Sequence, residues 1–321
     1  MGSSNWNLGC DRVFLIMASA VRRLKGLVAA TFTPMTTMSD LNLPVIQQYV
    51  DYLIEKQNVR NIFVNGTTGE GMSLSVQERK MLAEEWVKHA KNKMDSVMVH
   101  VGCLSLEDSK DLAAHAASCG ADAISAVSPS FIKPSSQDAL VMYLKEVAAA
   151  APSLPFYYYH IPSLTGVRYQ VFDLMGKMQK EIPSFRGVKF SDVNLMDFSL
   201  CIHNYKEFDL LYGVDEQLLG ALACGAHGAV GSTYNYLGKT TYKMMAAFEK
   251  GDLLKAQELQ HTIQKFMVYV FDMGWGLPEF KQIMSLNSGI DMGPARLPLL
   301  SSLQPEHHES VKSKLKQLNP L

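Results

Sequence analysis

One lysine stands inside an apolar run that the sequence predicts to be a strand. Lys189 lies between Val188 and Phe190, so its side chain must enter the interior or the mouth of the fold. Burial disfavours a charged amine and can lower a lysine pKa from about 10.4 toward 7–8. A neutral lysine attacks a ketone to form an iminium ion, whose nitrogen withdraws electrons from the neighbouring carbon–carbon bond. The alternative is a strand-end lysine that reaches solvent or pairs with Asp192.

A row of three tyrosines offers a proton carrier beside such an amine. In a predicted strand Tyr157 and Tyr159 share one face, and Tyr158 lies on the other. A phenol both donates and accepts a hydrogen bond, so Tyr159 could shuttle protons while a carbinolamine forms and breaks down. The simpler interpretation is that Tyr159 is a packing residue, because tyrosine is common in strands.

A turn rich in glycine and threonine is a candidate site for a carboxylate. The segment 66–69 reads Gly-Thr-Thr-Gly, in which the glycines let backbone N–H groups approach an anion and the hydroxyls of Thr67 and Thr68 add donors. Gly231 and Ser232 could hold an anion in a similar way. A phosphorylated substrate therefore stays open at this point.

These residues fall at the ends of eight predicted strands that alternate with helical patterns. The strands are Gly26–Pro34, Asn61–Gly66, Val97–Gly102, Ala123–Pro129, Pro155–Pro162, Phe185–Ser191, Phe208–Asp215 and Gly228–Thr233. Alternating strands and helices form a parallel sheet, and eight units in about 210 residues favour a closed α/β barrel, the (β/α)8 or TIM barrel. A doubly wound nucleotide fold is disfavoured because no G-x-G-x-x-G follows the first strand.

Helical patterns continue beyond the eighth strand. They cover Gly238–Lys250, Asp252–Met273, Leu277–Asn287 and Pro305–Leu318, and a Ser75-x-x-Glu78 capping box opens an earlier helix. We therefore expect residues 24–250 to form the barrel and residues 251–321 to form a C-terminal helical extension packed on it. Residues 1–23 are expected to be a disordered extension, with Met17 as an alternative start. A short apolar run there only loosely imitates a secretory signal.

Composition excludes several classes of protein. Of 321 residues, 47% are hydrophobic and 19% are charged, which is enough apolar surface for a large core. The 30 Lys and Arg residues balance 31 Asp and Glu residues, so neither nucleic acid nor an anionic membrane is an expected partner. No apolar run reaches the roughly 18–20 residues of a membrane-spanning helix.

Cysteines and histidines give no sign of a metal site or of disulfides. Five widely spaced cysteines without a C-x-x-C pair indicate free thiols in a reducing compartment, the cytoplasm. His100 and His160 stand at predicted strand ends, but the sequence has no H-x-H, no H-E-x-x-H and no carboxylate cluster with ligand spacing. We expect no metal, and we expect both histidines to be hydrogen-bonded parts of the structure.

Five motifs occur in a fixed order at the predicted strand ends. They are Gly-Thr-Thr-Gly-Glu at 66–70, Tyr159-x-Ile-Pro, Gly187-Val188-Lys189, Gly213-Val214-Asp215-Glu216 and Gly231-Ser232-Thr233-Tyr234-Asn235. Together they resemble the pyruvate-dependent class I aldolase family that contains N-acetylneuraminate lyase and dihydrodipicolinate synthase, from about Lys25 to Leu300. The vertebrate lyase branch is the nearer match. In the synthase branch an arginine that follows Tyr-Asn-x-Pro receives a second carboxylate, whereas residues 163–166 here read Ser-Leu-Thr-Gly.

The resemblance implies a role for each matching residue. Lys189 would form a Schiff base with the keto carbon, Tyr159 would relay protons, and Thr67 and Thr68 would hold the carboxylate. The pocket for the sugar hydroxyls and the N-acetyl group would be lined by Ser191, Gly213, Asp215, Glu216 and Ser232. Paired carboxylates accept hydroxyl hydrogen bonds and repel a phosphorylated substrate.

The implied function is that of a homotetrameric lyase. It would cleave N-acetylneuraminate, a sialic acid, reversibly to N-acetylmannosamine and pyruvate. No cofactor is expected, because the iminium ion itself is the electron sink.

Three questions stay open in the sequence. Many bacterial relatives place a tyrosine from a neighbouring subunit in the proton relay, but segment 128–134 has none, and Phe131 cannot carry a proton. The C4 hydroxyl of the substrate could be deprotonated by Tyr159, by Ser232 through water, or by the substrate carboxylate. Two other functions also fit: a same-mechanism aldolase for another 2-keto-3-deoxy sugar acid, or a barrel kept for binding or scaffolding with weak or no turnover.

Overall fold

Eight parallel strands form a closed barrel at the centre of the computed structural model, which describes residues 23–318. The strands are β1 (Gly26–Ala30), β2 (Asn61–Val64), β3 (Ser96–His100), β4 (Ala123–Val127), β5 (Phe156–His160), β6 (Phe185–Phe190), β7 (Asp209–Tyr212) and β8 (Gly228–Gly231). Each strand pairs with the next along the chain, and β8 closes the barrel on β1. The predicted (β/α)8 barrel is thus confirmed. Of the predicted N-terminal extension, all but Arg23 lies outside the described residues.

Helices surround the barrel and continue past it. They are α1 (Val45–Gln57), α2 (Val76–Ala90), α3 (Leu106–Cys119), α4 (Gln137–Ala149), α5 (Pro162–Thr165), α6 (Val171–Glu181), α7 (Leu195–Asn204), α8 (Leu218–Ala223), α9 (Tyr234–Glu249), α10 (Leu253–Asp272), α11 (Leu277–Ser288) and α12 (Pro305–Leu318). The last three helices form the C-terminal extension that the sequence predicts. Within residues 23–318, no helix has both the length and the apolar character needed to cross a membrane.

Both faces of the strands are buried, which explains their continuous apolar sequences. Alternate residues point into the barrel or toward the helices. Tyr157 and Tyr159 belong to the interior cluster with Phe63, whereas Tyr158 belongs to the layer between the strands and the helices. The predicted alternation of the three tyrosines is therefore confirmed.

Local side-chain bonds set the ends of several elements. The Glu78 backbone N–H donates to Ser75 Oγ (3.2 Å), and the Ser75 backbone N–H donates to the Glu78 carboxylate (2.8 Å), which confirms the predicted capping box of α2. The strands are shorter than predicted. β1 ends at Ala30 instead of Pro34, because Thr33 Oγ1 donates to Gly69 O (2.6 Å) at the rim of the barrel and Pro34 has no N–H for a ladder.

Candidate active site

Lys189 and Tyr159 meet inside the barrel. They are opposite each other in the register of β5 and β6. Lys189 Nζ lies 3.5 Å from the centroid of the Tyr159 ring and 5.0 Å from that of Phe63. Lys189 is only 5% exposed, so most of its side chain is shielded from solvent. The Asp192 carboxylate lies 3.8 Å from His160 Nε2 instead of pairing with the lysine.

Burial lowers the pKa of Lys189 below the ordinary lysine value, because an ammonium ion loses its hydration inside the barrel. Interactions with Tyr159 and with the Asp215 carboxylate oppose this shift. A lowered pKa raises the fraction of neutral amine near neutral pH. The neutral amine is the nucleophilic form.

The turn after β2 brings Thr67 to the tyrosine. Thr67 Oγ1 and Tyr159 Oη are 3.1 Å apart, and both residues line a cavity of about 220 Å³ together with His100 and Ser128. The Thr68 side chain is buried, and its hydroxyl bonds to no other described residue. Thr67 thus places a hydroxyl donor beside Tyr159 for an anionic group of a ligand, whereas Thr68 is not among the residues that line this cavity.

A buried carboxylate lies at the ends of β7 and β8. Asp215 Oδ2 accepts hydrogen bonds from the backbone N–H of Thr233 (2.9 Å) and from Thr233 Oγ1 (2.6 Å). Burial raises the pKa of Asp215, and the bonds from Thr233 and the charge of Lys189 oppose that shift. A Cβ at position 231 would overlap this carboxylate, so only glycine fits there. The anion site that the sequence allowed at Gly231 and Ser232 is therefore disfavoured, since a carboxylate occupies the space.

Ser191 and Gly213 form a close contact next to the lysine. Lys189 Nζ donates to Ser191 Oγ at 3.4 Å. A Cβ at position 213 would overlap Ser191 Oγ, and the Gly213 N–H donates to Phe190 O at 2.8 Å. Ser232 is half-buried, and its hydroxyl has no bonded partner among residues 23–318. Ser191 thus contacts Lys189 directly, whereas the Ser232 hydroxyl is available to a ligand.

Glu216 lines a different cavity. Residues 215–217 form a 3₁₀ turn, and Glu216 lines a space of about 580 Å³ bounded by α8 and α10. Gln264 of α10 donates to the Glu216 carbonyl at 2.8 Å. Burial, with a smaller effect of Asp215, raises the pKa of Glu216. Glu216 is therefore not among the residues that line the cavity of Thr67 and Tyr159.

The two strand-end histidines are parts of the packed structure. His100 Nδ1 lies 3.1 Å from Asn65 O and 3.3 Å from Arg79 Nη2, and burial together with the Arg79 charge lowers its pKa well below the usual value. His160 lies between Tyr158 and Asp192. Residues 23–318 contain no group of three or more His, Cys, Asp or Glu side chains that could hold a metal ion.

The whole described chain matches one sequence family. The model of the dihydrodipicolinate synthetase family covers residues 23–318. The chain belongs to this family. Within the family it is similar to N-acetylneuraminate lyase A of Xenopus laevis, with 73% identity over 303 residues that cover 94% of this chain and 99% of that protein. It is also similar to the N-acetylneuraminate lyase of Homo sapiens, with 54% identity over 305 residues that cover 94% and 95% of the two chains.

The fold agrees with solved structures of the dihydrodipicolinate synthetase family. The N-acetylneuraminate lyase, or sialic acid aldolase, of Aliivibrio salmonicida is 38% identical and superposes with a TM-score of 0.88. The superposition covers 94% of this chain and 98% of that one.

Two features of this family member were missed at the level of sequence. Thr233 stands in a quoted motif, but only the fold shows that it holds Asp215. A buried ion pair also lies behind the threonine turn, where Lys281 Nζ donates to Glu70 Oε1 at 2.8 Å. Lys281 lies close to the apolar residues Ile283 and Met284 on one helix, which was an available signal that the lysine is buried. No sequence pattern identifies its partner.

Proposed function

We propose that this chain is an aldolase of the N-acetylneuraminate lyase type, which cleaves N-acetylneuraminate reversibly to N-acetylmannosamine and pyruvate. The observation that carries the proposal is the buried amine of Lys189 at the ring of Tyr159. The 54–73% identity to vertebrate proteins named N-acetylneuraminate lyase supports the same substrate. This similarity favours the sialic acid over another 2-keto-3-deoxy sugar acid and favours an enzyme over a scaffold.

The first half of the proposed reaction forms a Schiff base. Thr67 and Thr68 bind the carboxylate of the open-chain sugar acid, which sets the neighbouring ketone beside Lys189. The neutral amine attacks the ketone carbon, and its lone pair forms the C–N bond while the carbonyl oxygen takes a proton. Tyr159 then protonates the carbinolamine hydroxyl, which leaves as water to give the iminium ion.

The second half breaks the C3–C4 bond. When the C4 hydroxyl loses its proton, the C3–C4 electron pair moves toward the iminium nitrogen, which releases N-acetylmannosamine and leaves an enamine. We assign the proton transfer to Tyr159, because its hydroxyl lies next to Thr67 and its ring lies next to the amine. Protonation of the enamine at C3 and addition of water then release pyruvate and restore Lys189.

The sugar part of the substrate is proposed to bind at the ends of β6, β7 and β8. Ser191, Asp215 and Ser232 would hydrogen-bond to its hydroxyls, and Gly213 leaves the space that Ser191 fills. Glu216 follows Asp215 in the same turn, and we propose that it binds the end of the substrate farthest from Lys189. No cofactor enters these steps.

We also propose the domain bounds, the oligomeric state and the location of the protein. The barrel and the extension are taken as residues 24–250 and 251–321. Association of subunits is favoured by exposed apolar side chains, since Phe131 and Ile132 are each 83% exposed, and the homotetramer itself is proposed from the family resemblance. A cytoplasmic location is favoured because the described cysteines are free thiols. Light scattering after size-exclusion chromatography tests the tetramer, and a monomer would contradict it.

The function is tested by a substrate panel. Pyruvate release is measured with N-acetylneuraminate and with 2-keto-3-deoxy sugar acids that differ in length and in the N-acetyl group. We expect the highest kcat/KM for N-acetylneuraminate. A higher value for another acid would favour the second aldolase function, and no release from any acid would favour a scaffold.

A further inference from the structure

The turn that carries Thr67 and Thr68 has a demanding backbone conformation. Glu70 has a φ of 55°, in the left-handed region that residues other than glycine seldom adopt. Its N–H donates to Thr67 O (3.0 Å), and the N–H of Gly71 donates to Gly66 O (3.0 Å). The positions of the two threonines therefore depend on how firmly Glu70 is held.

Glu70 is held by a buried ion pair. The side chains of Lys281 and Glu70 are 1% and 0% exposed, and Lys281 Nζ lies 2.8 Å from Glu70 Oε1. The other carboxylate oxygen, Oε2, accepts the backbone N–H of Arg296 at 2.7 Å. Lys281 Nζ makes a second bond to Pro294 O at 2.7 Å. Each oxygen of the Glu70 carboxylate thus has a partner, and the Lys281 ammonium group is itself held by Pro294 O.

These partners come from the C-terminal extension. Lys281 is on α11, and Arg296 follows that helix. The Arg296 side chain donates to both carboxylate oxygens of Glu78 (2.8 and 2.7 Å) at the start of α2. Leu277 of α11 lines the same cavity as Thr67. The extension therefore binds the middle of segment 65–75, which joins β2 to α2 and carries the two threonines, and it also binds the first turn of α2.

We propose that Lys281 is a positioning residue for the substrate carboxylate, acting through Glu70 on the turn of Thr67 and Thr68. The inference rests on the proposed function. Loss of the ammonium group leaves a buried carboxylate without its cation, and such a group moves toward water or takes up a proton. Either change loosens the left-handed turn. Binding of the carboxylate then weakens, while Lys189 keeps its amine.

The test compares Lys281→Met with Lys312→Met in the full chain. Lys312 is 41% exposed and pairs with Glu309 on α12 (3.2 Å), so this substitution controls for the loss of a lysine from the extension. We expect Lys281→Met to raise the KM for N-acetylneuraminate by about tenfold, with a smaller fall in kcat. The pyruvate concentration that gives half-maximal borohydride trapping should rise by about the same factor.

Methyl pyruvate separates positioning from a general structural effect. It has the reactive ketone but no carboxylate charge, so Lys281→Met and the unsubstituted protein should be trapped by it equally well. Lys312→Met should match the unsubstituted protein with every ligand. The inference is overturned if the KM and the half-saturating pyruvate concentration of folded Lys281→Met stay within about twofold of the unsubstituted protein. An equal loss with methyl pyruvate overturns it as well.

A double variant covers the case in which Lys281→Met does not fold. Glu70→Gln with Lys281→Met removes both charges, so no buried charge is left without a partner. We expect this protein to fold and still to need more pyruvate for half-maximal trapping. A normal pyruvate requirement in the folded double variant overturns the inference. If the unsubstituted protein traps no pyruvate at Lys189, the proposed function fails first.

Discussion

Lys189 Nζ lies 3.5 Å from the centroid of the Tyr159 ring, on residues that face each other across two paired strands. Two effects act on this nitrogen in opposite directions. The face of the ring attracts the ammonium ion, whereas burial favours the neutral amine. Burial has the larger effect, so the pKa of Lys189 is lowered. The amine can therefore lose its proton more readily and attack a carbonyl carbon.

Lys189→Met should abolish turnover without loss of stability. Methionine fills a similar volume but has no nucleophile, so we expect kcat to fall by at least about 10³-fold. Burial disfavours the charged form of Lys189, so removal of the amine should leave Tm unchanged or higher. Thermal unfolding and pyruvate release are the measurements. A variant that keeps activity, or that loses several degrees in Tm, would contradict this account of Lys189.

Tyr159→Phe should slow the reaction through loss of one hydroxyl. We expect kcat to fall by about 10²-fold or more, because proton transfer by a positioned group contributes about that much. Tyr158→Phe is the matched control. It removes the same hydroxyl from the preceding residue, whose ring packs between the strands and the helices. Its kcat should stay within about twofold. Equal losses in both variants would assign Tyr159 a packing role.

The pH dependence should report the amine. Lys189 reacts when neutral and its pKa is lowered by burial, so kcat/KM should rise with pH and level off below the ordinary lysine pKa of about 10.4. The Asp215 charge raises the pKa of Lys189, and Asp215→Asn should therefore move the acid limb to lower pH. Profiles of the rate of pyruvate trapping measure this without the sugar. If the acid limb of the Asp215→Asn profile moves to higher pH, the Asp215 charge does not raise the pKa of Lys189 and this account is contradicted.

Gly231→Ala should damage sugar binding more than pyruvate binding. The added methyl group would overlap the Asp215 carboxylate and displace it. We expect the KM for N-acetylneuraminate to rise by about tenfold, with little change in pyruvate trapping. Gly276→Ala is a control, because a Cβ there meets no atom within 4 Å. Equal loss of both ligands would show that the substitution disturbs the barrel as a whole.

The fold was largely readable because each strand and helix has a local signal. Strand and helix patterns alternate eight times, and the Ser75 capping box marks the start of α2 as predicted. Strand ends were less accurate. Residues such as Thr33 have the composition of a strand but bond to a rim loop, and that contact depends on a partner far along the chain.

The candidate site could be predicted from the sequence where the position of a residue in a strand determines the direction of its side chain. Period two placed Tyr157 and Tyr159 on one face, and the structure agrees. The surroundings of Glu216 were not readable, because the cavity that it lines is completed by α10, which lies about 40 residues further along the chain. The Glu70–Lys281 pair joins residues 211 positions apart, which no local periodicity encodes.

The most direct test of the central claim is reduction of the protein with borohydride in the presence of pyruvate, followed by peptide mass mapping. The account predicts one reduced pyruvate adduct, on Lys189, that disappears in Lys189→Met. An adduct on a different lysine, or no adduct while pyruvate is still released from N-acetylneuraminate, would contradict it.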